Sequence, residues 1–321
     1  ICKSLEKVYR DELISRNKKE GRMVIVRLKG GMGNQLFQYA AGRTLALKKK
    51  TEFKLDAVSS YKNDRYGSKY VLGHFNIKEN FVSETERQRF NLSGIQKRIY
   101  NALYFFKPYY RRSIVEEPIK QRFKYDPNLL LTPAQVCLDG YWQNEQYFID
   151  SAGLIRKEFV LRDQPDPLNR EIAQKISQSE SVCVHLRRLL GVSVDGKKKF
   201  EDAVKFHGAC SLDYYHSAVQ KIAENVKNPY FFVFSDDTEW ARKNFSINYP
   251  VKFITHNNGV KDQEDLRLMS LCKHHIIANS SFSWWGAWLA QSPAKVVIAP
   301  RYWDTDNIFI KELTPASWFR M

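Results

Sequence analysis

From residue 181 onward the sequence alternates between short apolar runs and amphipathic segments. The runs are SVCVHL (181–186), YFFVFS (230–235), VKFIT (251–255), HHIIA (274–278) and KVVIA (295–299). Between them lie LDYYHSAVQKIAENV (212–226), DTEWARKNF (237–245), DQEDLRLMSLCK (262–273) and SFSWWGAWLAQ (281–291). Strands that alternate with helices predict βαβ units and a parallel sheet. Ligands of such sheets bind beyond the carboxyl ends of the strands. That rule marks Arg187/Arg188, Ser235/Asp236/Asp237, Thr255/His256 and Asn279/Ser280/Ser281, all of which follow strands and are expected to converge on one crevice.

A second strand–turn–helix opens the body of the chain at VIVRLKGGMGNQLFQYA (24–40), with a strand at 24–28 and a helix at 35–48. A dinucleotide fingerprint requires G-x-G-x-x-G. Here Gly31-Met-Gly33 is followed by Asn34-Gln35-Leu36, so the third glycine is missing, and no Walker lysine follows. What remains is a tight turn at a helix N-terminus, able to take an anion or a hydroxyl. Asn34 stands where a helix N-cap belongs, and capping and substrate contact are both open to it. Residues 56–135 are irregular and aromatic-rich. They include YFFKPYYRR (104–112), read as a packed helix end or loop with solvated arginines rather than a substrate-facing surface. CLDGYWQNEQYF (137–148) reads as a strand, a turn and a helix start. Two prolines in LRDQPDPLNR (161–170) mark a domain boundary. The expected organisation is an extension at 1–22, an N-terminal domain at 23–165 and a C-terminal domain at 166–321, a length comfortable for two cores.

The chemistry-bearing residues favour an anionic ligand. In His185-Leu-Arg187-Arg188, side chains two apart share a strand face, so His185 and Arg187 point together and Arg188 opposes them. Guanidinium groups pair bidentately with phosphate, although one of the two could instead bridge to a loop carboxylate. His185 is open to a core role. Asp236 can accept from a base or ribose, and Asp237 can cap the following helix. Asn279-Ser-Ser-Phe-Ser283 offers hydroxyls and N–H groups at a helix start. Trp284, Trp285 and Trp288 read as packing residues. Asp304-Thr-Asp306 reads as a solvated loop rather than a metal site.

Composition narrows the partners. Net charge is +16 and belongs to the body of the chain, which suits a nucleotide, a nucleic acid or an acidic membrane face. No helix-turn-helix, zinc-finger or RNA-binding pattern supports nucleic acid. Cys2, Cys137, Cys183, Cys210 and Cys272 are scattered, with no CxxC pair, so neither zinc nor a disulfide framework is signalled; Cys183 reads as a buried free thiol. No apolar run approaches the roughly twenty residues of a membrane span. The expectation is a soluble, cytoplasmic protein, with peripheral contact at an anionic inner-membrane face left open.

GGMGNQLFQYA, HLRR, FVFSDD and CKHHIIANSSFSWWGAWLA, with GYWQNEQYF and CSLDYYHSA between them, occur in an order and spacing that resembles the α-1,2-fucosyltransferases of glycosyltransferase family 11. The resemblance runs from about Met23 to Trp303. It implies an α/β fold of GT-B type, with two Rossmann-like domains facing across a cleft. It also implies inverting transfer of L-fucose from GDP-β-L-fucose to the 2-hydroxyl of a galactose, on an oligosaccharide or lipid-linked glycan, without a metal or other cofactor. Carried onto this sequence, Arg187 holds the pyrophosphate, with Arg188 in support. Asp236 binds guanosine, and Asn279, Ser280, Ser281 and Phe282 line the phosphate and nucleoside pocket. Gly31, Gly33, Asn34 and Gln35 face the substrates, with Asn34 orienting the acceptor. His185, Asp139 and Glu145 are candidate bases. One departure stands out. The family continues its paired arginines with Gly-Asp-Tyr, whereas Leu189-Leu190-Gly191 stands here, with Asp195 a candidate substitute from a longer loop. A transferase of other acceptor or linkage, and a GDP-sugar binder of weak or no activity, are the alternatives this raises.

Overall fold

The computed structural model describes residues 22–63, 67–119, 122–188, 208–257, 261–303 and 312–321. The extension up to residue 21, the Leu189-Leu190 departure, Asp195, Asp304 and Asp306 lie outside the described residues. The chain divides into two compact units. One holds the described residues of Ile1–Lys29, Phe37–Asp64 and Lys78–Ile155; the other holds those of Gly30–Leu36, Arg65–Ile77 and Arg156–Met321. The glycine turn therefore belongs with the second unit, despite its early place in the chain.

The first unit is built on four parallel strands, β1 (Met23–Arg27), β2 (Glu52–Asp56), β3 (Ile114–Glu116) and β4 (Val136–Asp139), ordered β2-β1-β4-β3. Helix α1 (Met32–Lys49) connects β1 to β2. A side chain at Gly42 would place its Cβ 2.1 Å from Val26 Cγ2, so a glycine lets the helix lie directly on β1. The irregular middle contains two short helices, α2 (Glu84–Phe90) and α3 (Gly94–Leu103). Helix α2 starts on a Ser83/Glu86 capping box. Helix α3 turns Tyr100 inward, where its hydroxyl accepts from the Ile114 N–H at 2.9 Å and fixes the start of β3.

Helix α4 (Ala152–Glu158) leads to the second unit, a run of α5 (Pro167–Ser177), β5 (Glu180–Leu186), α6 (Leu212–Asn225), β6 (Pro229–Ser235), α7 (Thr238–Asn244), β7 (Val251–Phe253), α8 (Asp262–Leu271), β8 (His274–Ile276), α9 (Ser281–Leu289), β9 (Val297–Ala299) and β10 (Phe319–Arg320). The six strands are parallel and ordered β10-β9-β8-β5-β6-β7. The alternation read from the sequence is thus the sheet itself. Period-two side-chain placement supplies both faces. Val182, Val184, Phe231 and Val233 pack with Tyr215, Ala218 and Ile222 of α6 on one face. Cys183, Phe232 and Phe234 pack with Ile172 and Ile176 of α5 and Leu268 and Met269 of α8 on the other. The ladders of β7 and β8 carry one residue past each strand's end, with the Ile254 N–H donating to the Val233 carbonyl and the Ile277 N–H to the Ile298 carbonyl, both at 2.9 Å. The two-residue β10 carries no periodic signal and escaped the sequence reading. Among the described residues no helix is long and apolar enough to cross a membrane.

Chain order locates the ligand end of this sheet. From β5 the chain moves outward through β6 and β7, then returns to the opposite side with β8 and β9. The reversal falls between β5 and β8, the place where doubly wound sheets open a crevice. The residues beyond those two strands are Arg187/Arg188 and Asn279/Ser280/Ser281.

Candidate active site

Hydrogen bonds hold the carboxyl end of β5 from two sides. The buried Tyr215 hydroxyl of α6 donates to the His185 carbonyl at 2.9 Å, and Ser235 Oγ donates to the Leu186 carbonyl at 2.7 Å. Arg187 emerges beyond this clamp, with its NH1 3.5 Å from Asp236 Oδ2. The other Asp236 oxygen accepts from the Arg188 N–H at 2.6 Å. The Arg188 guanidinium lies 3.9 Å from the centre of the Trp240 ring, a stacked cation–π contact. Asp237 caps α7 by accepting from the Trp240 N–H at 3.0 Å, as expected from its place before the helix. Asp236 is engaged in bracing the arginine pair. Burial raises the carboxyl pKa of Asp262, at the start of α8, and outweighs the lowering field of Arg187.

His185 is buried and tilted against Phe282, with ring centroids 5.9 Å apart. Among the described residues its Nδ1 has no hydrogen-bond partner. Burial, reinforced by the Arg187 charge, lowers its pKa to about 4, so the ring is neutral near pH 7 and a weak proton acceptor. Phe282 belongs to the first turn of α9. Ser280 caps that helix by accepting from the Phe282 N–H at 3.3 Å. Asn279 ties two loops together, its Nδ2 donating to the Gly208 and Trp303 carbonyls at 3.2 and 3.1 Å. Tyr214 donates to the Ile277 carbonyl at 2.7 Å and so steadies the chain as it leaves β8.

The glycine turn meets this same helix. Ser281 Oγ donates to Asn34 Oδ1 at 2.9 Å, and Trp285 Nε1 donates to the Gly33 carbonyl at 3.0 Å. A Cβ on Gly33 would stand 2.5 Å from Ser281 C and Phe282 N, so two helix starts touch backbone to backbone. Gly30, at φ +71°, makes the turn, and the Gly31 carbonyl accepts from both the Asn34 and Gln35 N–H groups. This corrects the capping expectation. Helix α1 begins at Met32, so Asn34 lies inside its first turn and spends its side chain on Ser281. Gln35 is also corrected as a substrate contact. It is fully buried, donating to the Gly30 and Lys69 carbonyls and accepting from the Val71 N–H, and shows no surface to a ligand. Gly31 is exposed, with open space around it. Trp284, Trp285 and Trp288 are buried packing residues, as read.

A polar network links α5, the turn after β7 and α8, and the sequence marked only its His256. Asn169 of α5 and Asn257 exchange side-chain bonds at 3.0 and 3.1 Å, and Asn257 Nδ2 donates to Asp265 Oδ1 at 2.7 Å. His256 Nε2 is 2.9 Å from Asn169 Oδ1. Burial, with repulsion from Asp262 and Glu264, pushes the Asp265 carboxyl up to about 7 against the Asn257 bond. Asn169 and Asp265 are isolated polar residues in amphipathic helices and Asn257 lies in the turn after β7, and none of the three carries a sequence signal of such a network.

At the carboxyl ends of the first sheet, Asp139 is bound by Lys29 Nζ at 2.7 Å and Arg27 NH1 at 3.0 Å. Those cations outweigh burial and lower its carboxyl pKa, which makes it a poor base. Glu117 accepts from the Tyr141 and Trp142 N–H groups at 2.7 and 3.2 Å, and burial raises its pKa. Glu145 opens a single helical turn, half-buried.

Solved structures share this architecture. Arabidopsis thaliana FUT1 in complex with GDP superposes with a TM-score of 0.53 at 12% identity, over 92% of this chain and 74% of that one. Fucosyltransferase NodZ from Bradyrhizobium gives 0.50 at 14%, over 84% and 93%. Sequence relatives are nearer. The alpha-1,2-colitosyltransferase of Escherichia coli is 34% identical over 93% of this chain and 99% of its own. The O-antigen biosynthesis glycosyltransferase WbnK of Escherichia coli is 30% identical over 92% and 99%. Mouse galactoside alpha-(1,2)-fucosyltransferase 2 is 28% identical over 63% and 56%. Parallel α/β sheets with arginines and a helix start gathered at a switch point, together with these likenesses, define the class as a glycosyltransferase. The chain belongs to glycosyl transferase family 11, whose description it matches over residues 8–318.

Proposed function

We propose that this chain transfers L-fucose from GDP-β-L-fucose to the 2-hydroxyl of a galactose in a glycan, with inversion to an α-1,2 linkage. The reading takes the protein as a GT-B enzyme in which the second unit carries the donor nucleotide and the first unit the acceptor side. The observation that carries it is Arg187, braced by Asp236 at the switch point of a parallel sheet. In the reaction the acceptor oxygen bonds to the anomeric carbon as the bond to the diphosphate breaks, and the electron pair leaves on GDP. Arg187 pairs with that growing charge from a position already fixed, the most effective way to lower such a barrier. The acceptor hydroxyl releases its proton late in a loose transition state, to solvent or to an oxygen of the departing diphosphate, so a strong base is a lesser demand. The low basicity of His185 and Asp139 is compatible with that order. Charge stabilisation by Arg187 makes chelator-insensitive turnover the expected result.

The Escherichia coli colitosyltransferase supports a second donor, a colitosyl nucleotide, for the same site. Incubation of the protein with each donor and a β-galactoside, with GDP release measured and the new linkage assigned by NMR, separates the two. No release with either donor across a broad set of galactosides, alongside intact GDP binding, leaves a GDP-sugar binder instead.

A further inference from the structure

The amino ends of the first sheet form a second feature, at the opposite edge from Asp139. Arg22 precedes β1, Ser113 precedes β3 and Gln135 precedes β4. With Tyr104, Lys107 and Arg111 they line a concavity of about 310 Å³. Lys107 Nζ lies 4.7 Å from the centre of the Tyr104 ring. Among the described residues Arg22, Lys107 and Arg111 form no ion pair with a carboxylate, and Gln135 Nε2 is a buried donor with no partner. Three cations and an unused N–H group around a small hollow suit a phosphate.

Between the lining residues Tyr104 and Lys107 the chain exposes two apolar rings to water. Phe105 is 73% and Phe106 93% exposed, their rings set edge to face at 5.1 Å. Helix α3, which precedes Tyr104, carries an exposed Ile95 (67%) and an exposed Arg98. Its inward side is spent on Tyr100, so the exposed side has nothing of this unit left to cover. Residues 88–115 contain six Lys or Arg and no Asp or Glu. Exposed rings beside Lys107 and Arg111 match an anionic lipid surface in charge and layering, although Lys97 of α3 is paired with Glu116 at 3.7 Å and adds no free charge.

We propose that this face docks on an anionic phospholipid bilayer, with a lipid phosphate in the hollow and Phe105 and Phe106 in the acyl boundary. The inference stands on the first unit alone and does not depend on the transferase reading. The test is sedimentation with phosphatidylcholine vesicles, with and without phosphatidylglycerol, at fixed ionic strength. Lys107→Ala/Arg111→Ala and Phe105→Ser/Phe106→Ser are compared with the unaltered chain, and thermal melts show that each variant is folded. Phosphatidylglycerol is expected to be required for binding. Loss of the two cations should lower partitioning roughly thirtyfold, and loss of the two rings at least about tenfold. Equal binding to neutral vesicles, or either variant binding as the unaltered chain does, overturns the proposal. So does a site that takes free inorganic phosphate in an Arg111-dependent way while vesicles stay unbound.

Discussion

The indole N–H of Trp285 donates to the carbonyl of Gly33 across 252 positions of sequence, at 3.0 Å. That bond pins the start of α1 against the start of α9 and explains both the glycine turn and the Trp-Trp pair that follows the serines. The glycine is there for proximity rather than for phosphate. Gly33→Ala forces its Cβ into the Ser281 and Phe282 backbone, neither of which is a flexible side chain. The expected cost is about 2–4 kcal/mol. A thermal melt should fall by roughly 5–10 °C. A melt shifted by about one degree or less would show that the two helix starts separate freely.

The pairing of Asp236 with Arg187 makes a graded prediction for nucleotide binding. Arg187→Ala should weaken GDP at least about tenfold in calorimetry, the scale of a lost charge-assisted bond. Asp236→Asn keeps an acceptor for the Arg188 N–H but drops the charge beside Arg187, and should weaken GDP by a smaller factor of about three to ten. Asp236→Ala removes both contacts and should fall between Asp236→Asn and Arg187→Ala. If Asp236→Asn binds GDP as tightly as the unaltered protein, Asp236 does not position Arg187.

Asp139 offers a contrast between stability and chemistry. As a base, its removal would cut turnover and spare the fold. Because Lys29 and Arg27 bind it, its removal instead leaves the buried Arg27 with Asp56, 3.8 Å away, as its one carboxylate partner among the described residues. Asp139→Ala should therefore destabilise the protein by about 3 kcal/mol in denaturant unfolding. Full stability with lost turnover would restore Asp139 as a base.

The pH dependence has two opposed parts. Burial holds His185 at about 4 and His275 at about 3, below their ordinary value, so the unfolded chain takes up protons first on acidification. Their stabilisation is complete above about pH 6.5 and is lost as pH falls toward 4 and below. Asp265 works in the other direction. Its folded pKa of about 7 lies above the unfolded one, so its penalty is absent near pH 4 and grows as pH rises to 7. Asp265→Asn removes that penalty. The stability difference between variant and parent should shift in the variant's favour between pH 4 and pH 8, by at most about 4 kcal/mol at roughly 1.4 per pKa unit. A difference that stays flat with pH means that Asp265 titrates as an ordinary surface carboxylate.

The alternating runs of the second half determined the parallel sheet by themselves, because each strand and helix carries its own periodic apolar face. The same local signals determined the strand-end positions of Arg187, Asp236 and Ser280, and the capping by Asp237. The motifs identified the family. Only the tertiary structure decided what these residues touch. Asn34 and Gln35 were legible as polar residues beside a glycine turn, yet one accepts from Ser281 and the other is sealed against residues 69 and 71. Tyr214 and Tyr215 read as helix residues, and their hydroxyls clamp two strand ends. Asp139 read as a candidate base, and two cations occupy it. A sequence fixes what a residue can offer over the few neighbours on its own helix or strand. Which donor meets it across a hundred or more positions depends on how those elements pack.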